Sequence, residues 1–414
     1  MQALQYLQSL EMHGIKLGLE RIKKILKLIG NPEKKLKAVH IAGTNGKGST
    51  AAMVAAVLLE AGHKTALYTS PHLISFNERI QIDGKMISDS ELETRVAELK
   101  KLKEEKGIEL TYFEFVTALA FQYFADKEVD YAVIETGMGG ALDATNVCKP
   151  AVSIITNVAL EHMKYLGKTA GEIAREKAGV IKKGIPLITA ESDPEVMLLF
   201  KQKCNELNSE MHLFGIDFGF ERTSFDLKLQ SFNYHGGKNI DALKIPLLGI
   251  HQLRNASCAI AALQLLKIDE ATIRKGLMNV QWPGRLEIAK EKPLVLLDAG
   301  HNSACMKALR EALQELLPGR EITLVIGISD DKDAAAIAEA IAPIAAKVKV
   351  CSAKYRGMET ESLAAEFKGT VPEVAIIADV QEAVKMAMSE AAEDDAVIVT
   401  GSCFVVGEAK QLFL

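Results

Sequence analysis

The stretch HIAGTNGKGSTAAM, residues 40–53, decides how the rest of the chain is read. An apolar run, KAVHIAG, leads into it and a helix-favouring run, STAAMVAAVLLEAG, leads out, so its glycines, lysine and hydroxyls occupy a strand-to-helix turn. Such a turn aims several backbone N–H groups into one concavity, where the helix dipole adds positive potential, and phosphate oxygens are its natural occupants. Gly43, Gly46 and Gly48 permit the tight path around Thr44 and Asn45. Lys47 supplies a point charge for β/γ-phosphates, and Ser49 or Thr50 can face a metal. A plain turn would not require lysine between two glycines with hydroxyls following. The strict pattern G-x-x-x-x-G-K-[ST] nevertheless fails, because Gly48 stands where Ser or Thr follows the lysine; this is a P-loop variant.

Outward from that loop, 414 residues with 48% hydrophobic and 25% charged side chains can bury two sizeable cores, and two domains are expected. A formal net charge of -5 argues against a general nucleic-acid or membrane-surface binder, although a local site can oppose the global sign. The six cysteines, Cys148, Cys204, Cys258, Cys305, Cys351 and Cys403, lie far apart without a CxxC pair, as expected of reduced thiols in a cytoplasmic protein. No export signal and no membrane segment is expected, because the N-terminal stretch lacks a basic start followed by an apolar core and no run approaches the ~20 apolar residues of a span.

Strand-like and helical runs alternate through KTALYTS, DYAVIETG, AVSIITNV and IPLITA, which reads as a parallel sheet flanked by helices. The polar stretch MHLFGIDFGFERTSFDLKLQSFNYHGGKN reads as antiparallel strands, LGIHQLRNASCAIAALQLL as a helix started near Asn255, and NVQWPGRLEIAKEKP as a linker. Beyond it the alternation returns as a second, smaller doubly wound unit. The fold expected is therefore α/β: a P-loop-type parallel-sheet domain with helices on both faces, residues 1–290, followed by a C-terminal Rossmann-like α/β domain, residues 291–414.

Ligands of open α/β sheets collect at the carboxyl ends of strands. KTALYTS ends there at Ser70, DYAVIE at Glu135, and AVSIITNVALEH brings His162 just past its strand. Hard oxygen ligands suit Mg²⁺, which makes Glu135 the better candidate and an imidazole the unusual one; each residue taken singly also serves as a cap or hydrogen-bond partner. AREKAGVIKKG puts Glu176 and Lys177 on an amphipathic helix, where a helix-face salt bridge is the simple reading. Arg285, Asp298 and His301 flank the domain boundary and are placed to grip a nucleotide from across a cleft.

Together these stretches resemble the Mur ligase superfamily, and within it the folylpolyglutamate synthase and dihydrofolate synthase family. The resemblance rests on GTNGKGS (43–49), TSPHLISFNERI (69–80), ETGMGGALDATN (135–146), EHMKYLG (161–167), AREKAGVIKKG (174–184), GIHQLRNASCAIAAL (249–263), WPGRLE (282–287) and DAGHN (298–302), in family order over nearly the whole chain. It implies an ATP-dependent ligase that activates a folate-type carboxylate as an acyl phosphate for attack by the amino group of L-glutamate. It further implies that Lys47 and Ser49 hold phosphates, that Ser70 and Glu135 ligate one Mg²⁺, and that Glu135 and His162 hold a second. Lys177 matches a lysine carried as a carbamate, Asn255, Arg285 and Asp298 match ATP contacts, and His301 matches a residue near the incoming glutamate. The pterin end is expected near GIKLGLERI (14–22) and the SPHLISFNERI loop.

The chain departs from the family in carrying Ala141 where Arg is common, which removes an anion contact. It also has DAGHN for the usual DGAHN, a swap of two small residues expected to preserve Asp298 and His301. Small-molecule substrates and a monomer are expected, with no nucleic-acid or membrane partner. Two rival readings remain at this stage. A cell-wall precursor ligase would share the phosphate loop, but it usually carries a preceding nucleotide-sugar domain for which 42 residues leave no room. A P-loop ATP-binding regulator would hold nucleotide without needing glutamate. Whether dihydropteroate, an existing folate or both is the acceptor is not legible in the residues.

Overall fold

The structure, a computed structural model, describes residues 2–11, 14 and 16–414. Its first sheet contains β1 (Ala38–Ala42), β2 (Thr65–Tyr68), β3 (Ile80–Ile82), β4 (Lys85–Met86), β5 (Tyr131–Glu135), β6 (Pro150–Ile155), β7 (Leu187–Thr189) and β8 (Met211–Leu213). The spatial order is β4-β3-β2-β5-β1-β6-β7-β8, parallel from β2 to β8 with β3 and β4 antiparallel at one edge. β1 is buried along its whole length, as a parallel strand covered on both faces must be. Val39 and Ile41 pack into one core with helices Lys47–Glu60, Ile250–Leu265 and Glu270–Met278. Ala38 faces the other core, filled from helices Gln2–Glu11, Glu20–Leu28, Asp89–Glu105 and Tyr112–Asp126. β1 sits between β5 and β6, so the loop after it opens where the chain winds off in both directions.

The polar stretch after residue 210 behaves in two ways. Met211–Leu213 joins the first sheet as a parallel edge strand, because its main chain pairs with β7, whereas the remainder forms a three-stranded antiparallel sheet. That sheet has β9 (Gly219–Phe225), β10 (Gln230–His235) and β11 (Ile240–Ile245), in the order β11-β10-β9. Phe232, Tyr234, Leu243 and Ile245 carry it onto the core that holds Val39 and Ile41.

The second unit is a six-stranded sheet of β12 (Glu287–Glu291), β13 (Leu294–Asp298), β14 (Ile322–Ile326), β15 (Lys347–Val350), β16 (Glu373–Ile376) and β17 (Ala396–Thr400), ordered β12-β13-β17-β14-β15-β16. Only β12 is antiparallel. Part of the stretch read as a linker is therefore this edge strand. Alternate residues divide between two cores: Leu294, Leu296, Leu324 and Ile326 on one face, Val295, Leu297, Val325 and Val397 on the other. The units touch across a cleft through paired Arg222–Glu315 hydrogen bonds of 2.8 and 2.9 Å and through Tyr355 Oη donating to Glu11 at 2.6 Å. No helix among the described residues is long and apolar enough to cross a membrane.

Phe232 is fully buried where the antiparallel sheet meets the parallel one. Phe232→Ala is expected to cost about 3–5 kcal/mol, read as a lowered urea midpoint, and a loss under ~1 kcal/mol would show that this seam does not hold the fold.

Candidate active site

The loop after β1 is held by close approaches that only glycine allows. A Cβ on Gly43 would lie 1.8 Å from Thr156 Oγ1, one on Gly46 2.4 Å from Asn255 Oδ1, and one on Gly48 2.8 Å from Trp282 Cζ2. Hydrogen bonds finish the shape. Thr44 N–H donates to Asn157 O at 2.9 Å, Asn45 N–H to Asn157 Oδ1 at 2.9 Å, and Thr156 Oγ1 to Asn45 O at 2.6 Å. Helix Lys47–Glu60 then starts without a side-chain cap, and Thr50 is the first residue to bond back, to Gly46 O at 2.9 Å. The N–H groups of Lys47, Gly48 and Ser49 are left for a ligand. Lys47 curls over the loop, its Nζ donating to Thr44 O at 3.1 Å.

Beside this cradle stands Glu135, buried at the end of β5. Its Oε2 accepts the Ser70 N–H at 3.0 Å and no cation pairs with it among the described residues. Burial raises its pKa, against the pull of Lys47, the Ser70 N–H, Arg285 and Arg79. His162 sits in the left-handed region at φ 51°, and burial brings its pKa down to about 4, so the ring is neutral with a lone pair to give.

Lys177, on helix Ala170–Ala178, is 3% exposed and has no carboxylate partner among the described residues, so no helix-face salt bridge forms. Burial, with Lys47 adding to it, pulls its pKa to about 7 while Glu161 and Asp143 pull the other way. The 137–143 loop covers it: Ala141 N–H donates to Glu176 O at 2.7 Å, and a Cβ on Gly140 would come within 2.9 Å of Lys177 O. Asp143 braces that loop by accepting from Met138 N–H and Thr145 N–H, both at 2.9 Å.

The second unit supplies the facing wall. Asp298 ends β13 and uses both oxygens on backbone, taking Leu286 N–H at 3.1 Å and Gly300 N–H at 2.9 Å, while Arg285 Nη1 donates to Gly284 O at 2.9 Å. His301 Nε2 and Lys332 Nζ meet Glu161 Oε1 at 3.1 and 3.0 Å. Burial alone would raise the Glu161 carboxyl, but His301, Lys332 and His162 together hold it far below the usual carboxylate range. Asn302 Nδ2 donates to Asn45 Oδ1 at 2.8 Å, so the second unit touches the phosphate loop itself.

One cavity of about 1540 Å³ gathers these groups. Thr44, Asn45, Gly46, Lys47, Gly48, Ser49, Ser70, Glu135, His162, Asn255, Arg285, Asp298 and His301 all line it. Gly43 packs behind, against Thr156, and Lys177 lies buried beneath the 137–143 loop instead of on the wall. Helix Ile250–Leu265 begins five residues before Asn255, which is thus within the helix. Gly14, Lys16, Leu17 and Gly18 of the stretch expected near the pterin reach the cavity; Ile15 lies outside the described residues.

Sequence reasoning passed over Glu161, although it adjoins His162, and over Lys332. The latter follows β14, so the rule that strand carboxyl ends carry ligand residues would have found it. Asn157 and Asn302 carry no signal that distinguishes them from ordinary loop asparagines.

The residues fit the groups this fold implies. An uncapped helix start beside Lys47 suits a nucleotide's phosphates, and a buried carboxylate without a cation, bonded to the Ser70 N–H and sharing its cavity with a neutral imidazole, suits Mg²⁺. No group of three His, Cys, Asp or Glu side chains among the described residues forms a metal cage, so water and phosphate oxygens would have to complete the shell, as they do around Mg²⁺.

Residues 41–263 match the Mur ligase middle domain and residues 284–403 the Mur ligase glutamate ligase domain. The dihydrofolate synthase/folylpolyglutamate synthase of Bacillus subtilis is 33% identical, over 96% of this chain and 95% of its own. A Mycobacterium tuberculosis folylpolyglutamate synthase solved with ADP and AMPPCP superposes with a TM-score of 0.93 at 32% identity, covering 99% of this chain and 98% of that one. FolC from Escherichia coli, solved with DHPP and ADP, gives 0.91 at 30% identity, covering 99% and 97%. With the fold, both units and the whole length in agreement, the chain belongs to the folylpolyglutamate synthase/dihydrofolate synthase family of Mur ligases.

Proposed function

We propose that this protein joins L-glutamate to a folate-type carboxylate at the expense of ATP. The observation that carries the reading is the single cavity in which an uncapped phosphate loop, an unpaired buried carboxylate and the second unit's His301 meet. The substrate carboxylate attacks the γ-phosphorus of ATP and ADP leaves; the glutamate amine then attacks the acyl carbon, and phosphate and a proton are released. Phosphoryl transfer of this kind asks for positioning and charge neutralisation, not for a protein nucleophile.

In this reading Lys47 and the open N–H groups of residues 47–49 hold the phosphates, with Asn255, Arg285 and Asp298 on the nucleotide's other side. Ser70, Glu135 and His162 would hold two Mg²⁺ ions, which when bound neutralise charge on the phosphates. His301, oriented by Glu161, faces the reacting centre and the glutamate. Closure by the second unit excludes water from a hydrolysable acyl phosphate.

Lys177 is proposed to act as a carbamate, supported by its burial, its lack of a carboxylate partner among the described residues and its lowered pKa. The free amine reacts with CO₂ to give the carbamate and a proton, turning a buried cation into an oxygen donor. The units divide at the PGRLE segment, residues 283–287, which leads into β12 a few residues before the 290/291 boundary expected from the sequence. Because one chain lines the whole cavity, a monomer suffices. Five of six cysteines are buried and all are free, which suits a reducing cytoplasm.

ADP release from purified protein, ATP and Mg²⁺ is expected to need both glutamate and a pteroate or folate acceptor; release that ignores glutamate would point to a regulator instead. Comparing dihydropteroate with tetrahydrofolate in that assay names the acceptor. Glu135→Gln is expected to lower turnover at least about a hundredfold with thermal stability unchanged, and wild-type turnover in this variant would remove Glu135 from the metal site.

For Lys177 the direction with pH follows from its form. Below a pKa of about 7 the ammonium cannot take up CO₂, and above it the amine can. Stimulation by bicarbonate is therefore expected to appear as pH rises through that value, together with a carbamate signal from carbon-13 bicarbonate. Lys177→Arg retaining full activity would refute the carbamate.

A further inference from the structure

Trp282, the only tryptophan of the chain, takes no part in the chemistry above, yet its ring lies against the first turn of the phosphate helix. Cζ2 is 2.8 Å and Nε1 3.3 Å from where a Cβ on Gly48 would be. That contact gives a physical reason for the departure from the strict phosphate-loop pattern, since serine or threonine after Lys47 would drive its Cβ into the indole. The indole N–H is buried with no acceptor among the described residues, an arrangement that costs stability. The ring is thus held there by its shape, with its polar atom unsatisfied.

The chain just beyond the ring is pinned at its far end. Gly284 O accepts from Ala299 N–H at 2.8 Å, Gly284 N–H donates to Glu287 Oε2 at 2.8 Å, and Leu286 N–H donates to Asp298 Oδ2 at 3.1 Å. Arg285 lies within this span and reaches the cavity. Residues 282–286 therefore run from the helix start bearing Lys47 to the end of β13, where Asp298 and then His301 stand, anchored on both sides. The cavity needs the two walls in register, because its phosphate-holding and its nucleotide-gripping residues come from different units.

We propose that Trp282 is a positioning residue for ATP: by packing on Gly48 it fixes the phosphate loop relative to Arg285 and Asp298. The proposal rests on the reading that this loop holds ATP. It makes glycine at 48 and the indole at 282 one device, so that a change in either shifts the same distance across the cleft.

The test is kinetic and uses the full chain, with titration calorimetry of a non-hydrolysable ATP analogue beside it. Trp282→Ala is expected to raise both the analogue's Kd and the KM for ATP about tenfold, with the KM values for glutamate and folate within about twofold. Trp282→Phe, which keeps a flat ring, restores most of the loss. Gly48→Ala is expected to show the same ATP-specific defect, and the double variant with Trp282→Ala no more than the worse single one, because removing the indole makes room for the methyl. Trp282→Leu carries the same comparison if the alanine variant does not fold. Unchanged ATP affinity in Trp282→Ala and Trp282→Leu, equal losses for all three substrates, or losses that multiply in the double variant would overturn the proposal. Wild-type protein that fails to bind the analogue would overturn the loop reading itself, and this one with it.

Discussion

The active edge of this molecule depends on three missing β-carbons. At Gly43, Gly46 and Gly48 the space a side chain would fill is taken by Thr156, Asn255 and Trp282, which arrive from the residue after β6, from helix Ile250–Leu265 and from the segment before β12. The turn after β1 is therefore gripped from three directions. The protein's own contacts fix its shape, and the first N–H groups of helix Lys47–Glu60, which have no partner within the helix, stand at the cleft. Preorganisation of this sort is what lets electrostatic stabilisation act without reorganising the site during reaction.

Around that turn two buried groups of opposite sign stand without a counter-charge among the described residues: Glu135, whose pKa burial raises, and Lys177, whose pKa burial lowers. Burial works against the charged form of each. The proposed divalent cation beside Glu135 and the proposed carbamate on Lys177 would offset both costs. The Glu161 carboxylate is the contrast, since His301 and Lys332 of the second unit satisfy it across the cleft. Contacts such as these, with Asn45 to Asn302, make closure a property of the same residues that face the chemistry.

Much of this was legible in residue order. The alternation of strand and helix, the glycine-rich turn, and the carboxyl-end positions of Ser70, Glu135 and Asp298 follow from patterns that short-range physics imposes. Edge strands were harder. Met211–Leu213 and Glu287–Glu291 are short and half-exposed, so their sequences resemble loops, and only pairing with β7 and β13 makes them strands. Likewise no local pattern discloses that Glu161 meets Lys332, 171 positions away, or that Trp282 covers Gly48. Those are consequences of tertiary approach, and Gly48 was visible beforehand only as a broken rule.

Phosphate and metal are proposed to gather at the carboxyl edge of β1 and β5. A crystal structure of the protein with Mg²⁺ and a non-hydrolysable ATP analogue tests this proposal most directly. Phosphate oxygens are expected against the N–H groups of residues 47–49, with metal density touching Ser70 and Glu135. Phosphates bound elsewhere, with Glu135 still free of metal, would contradict it.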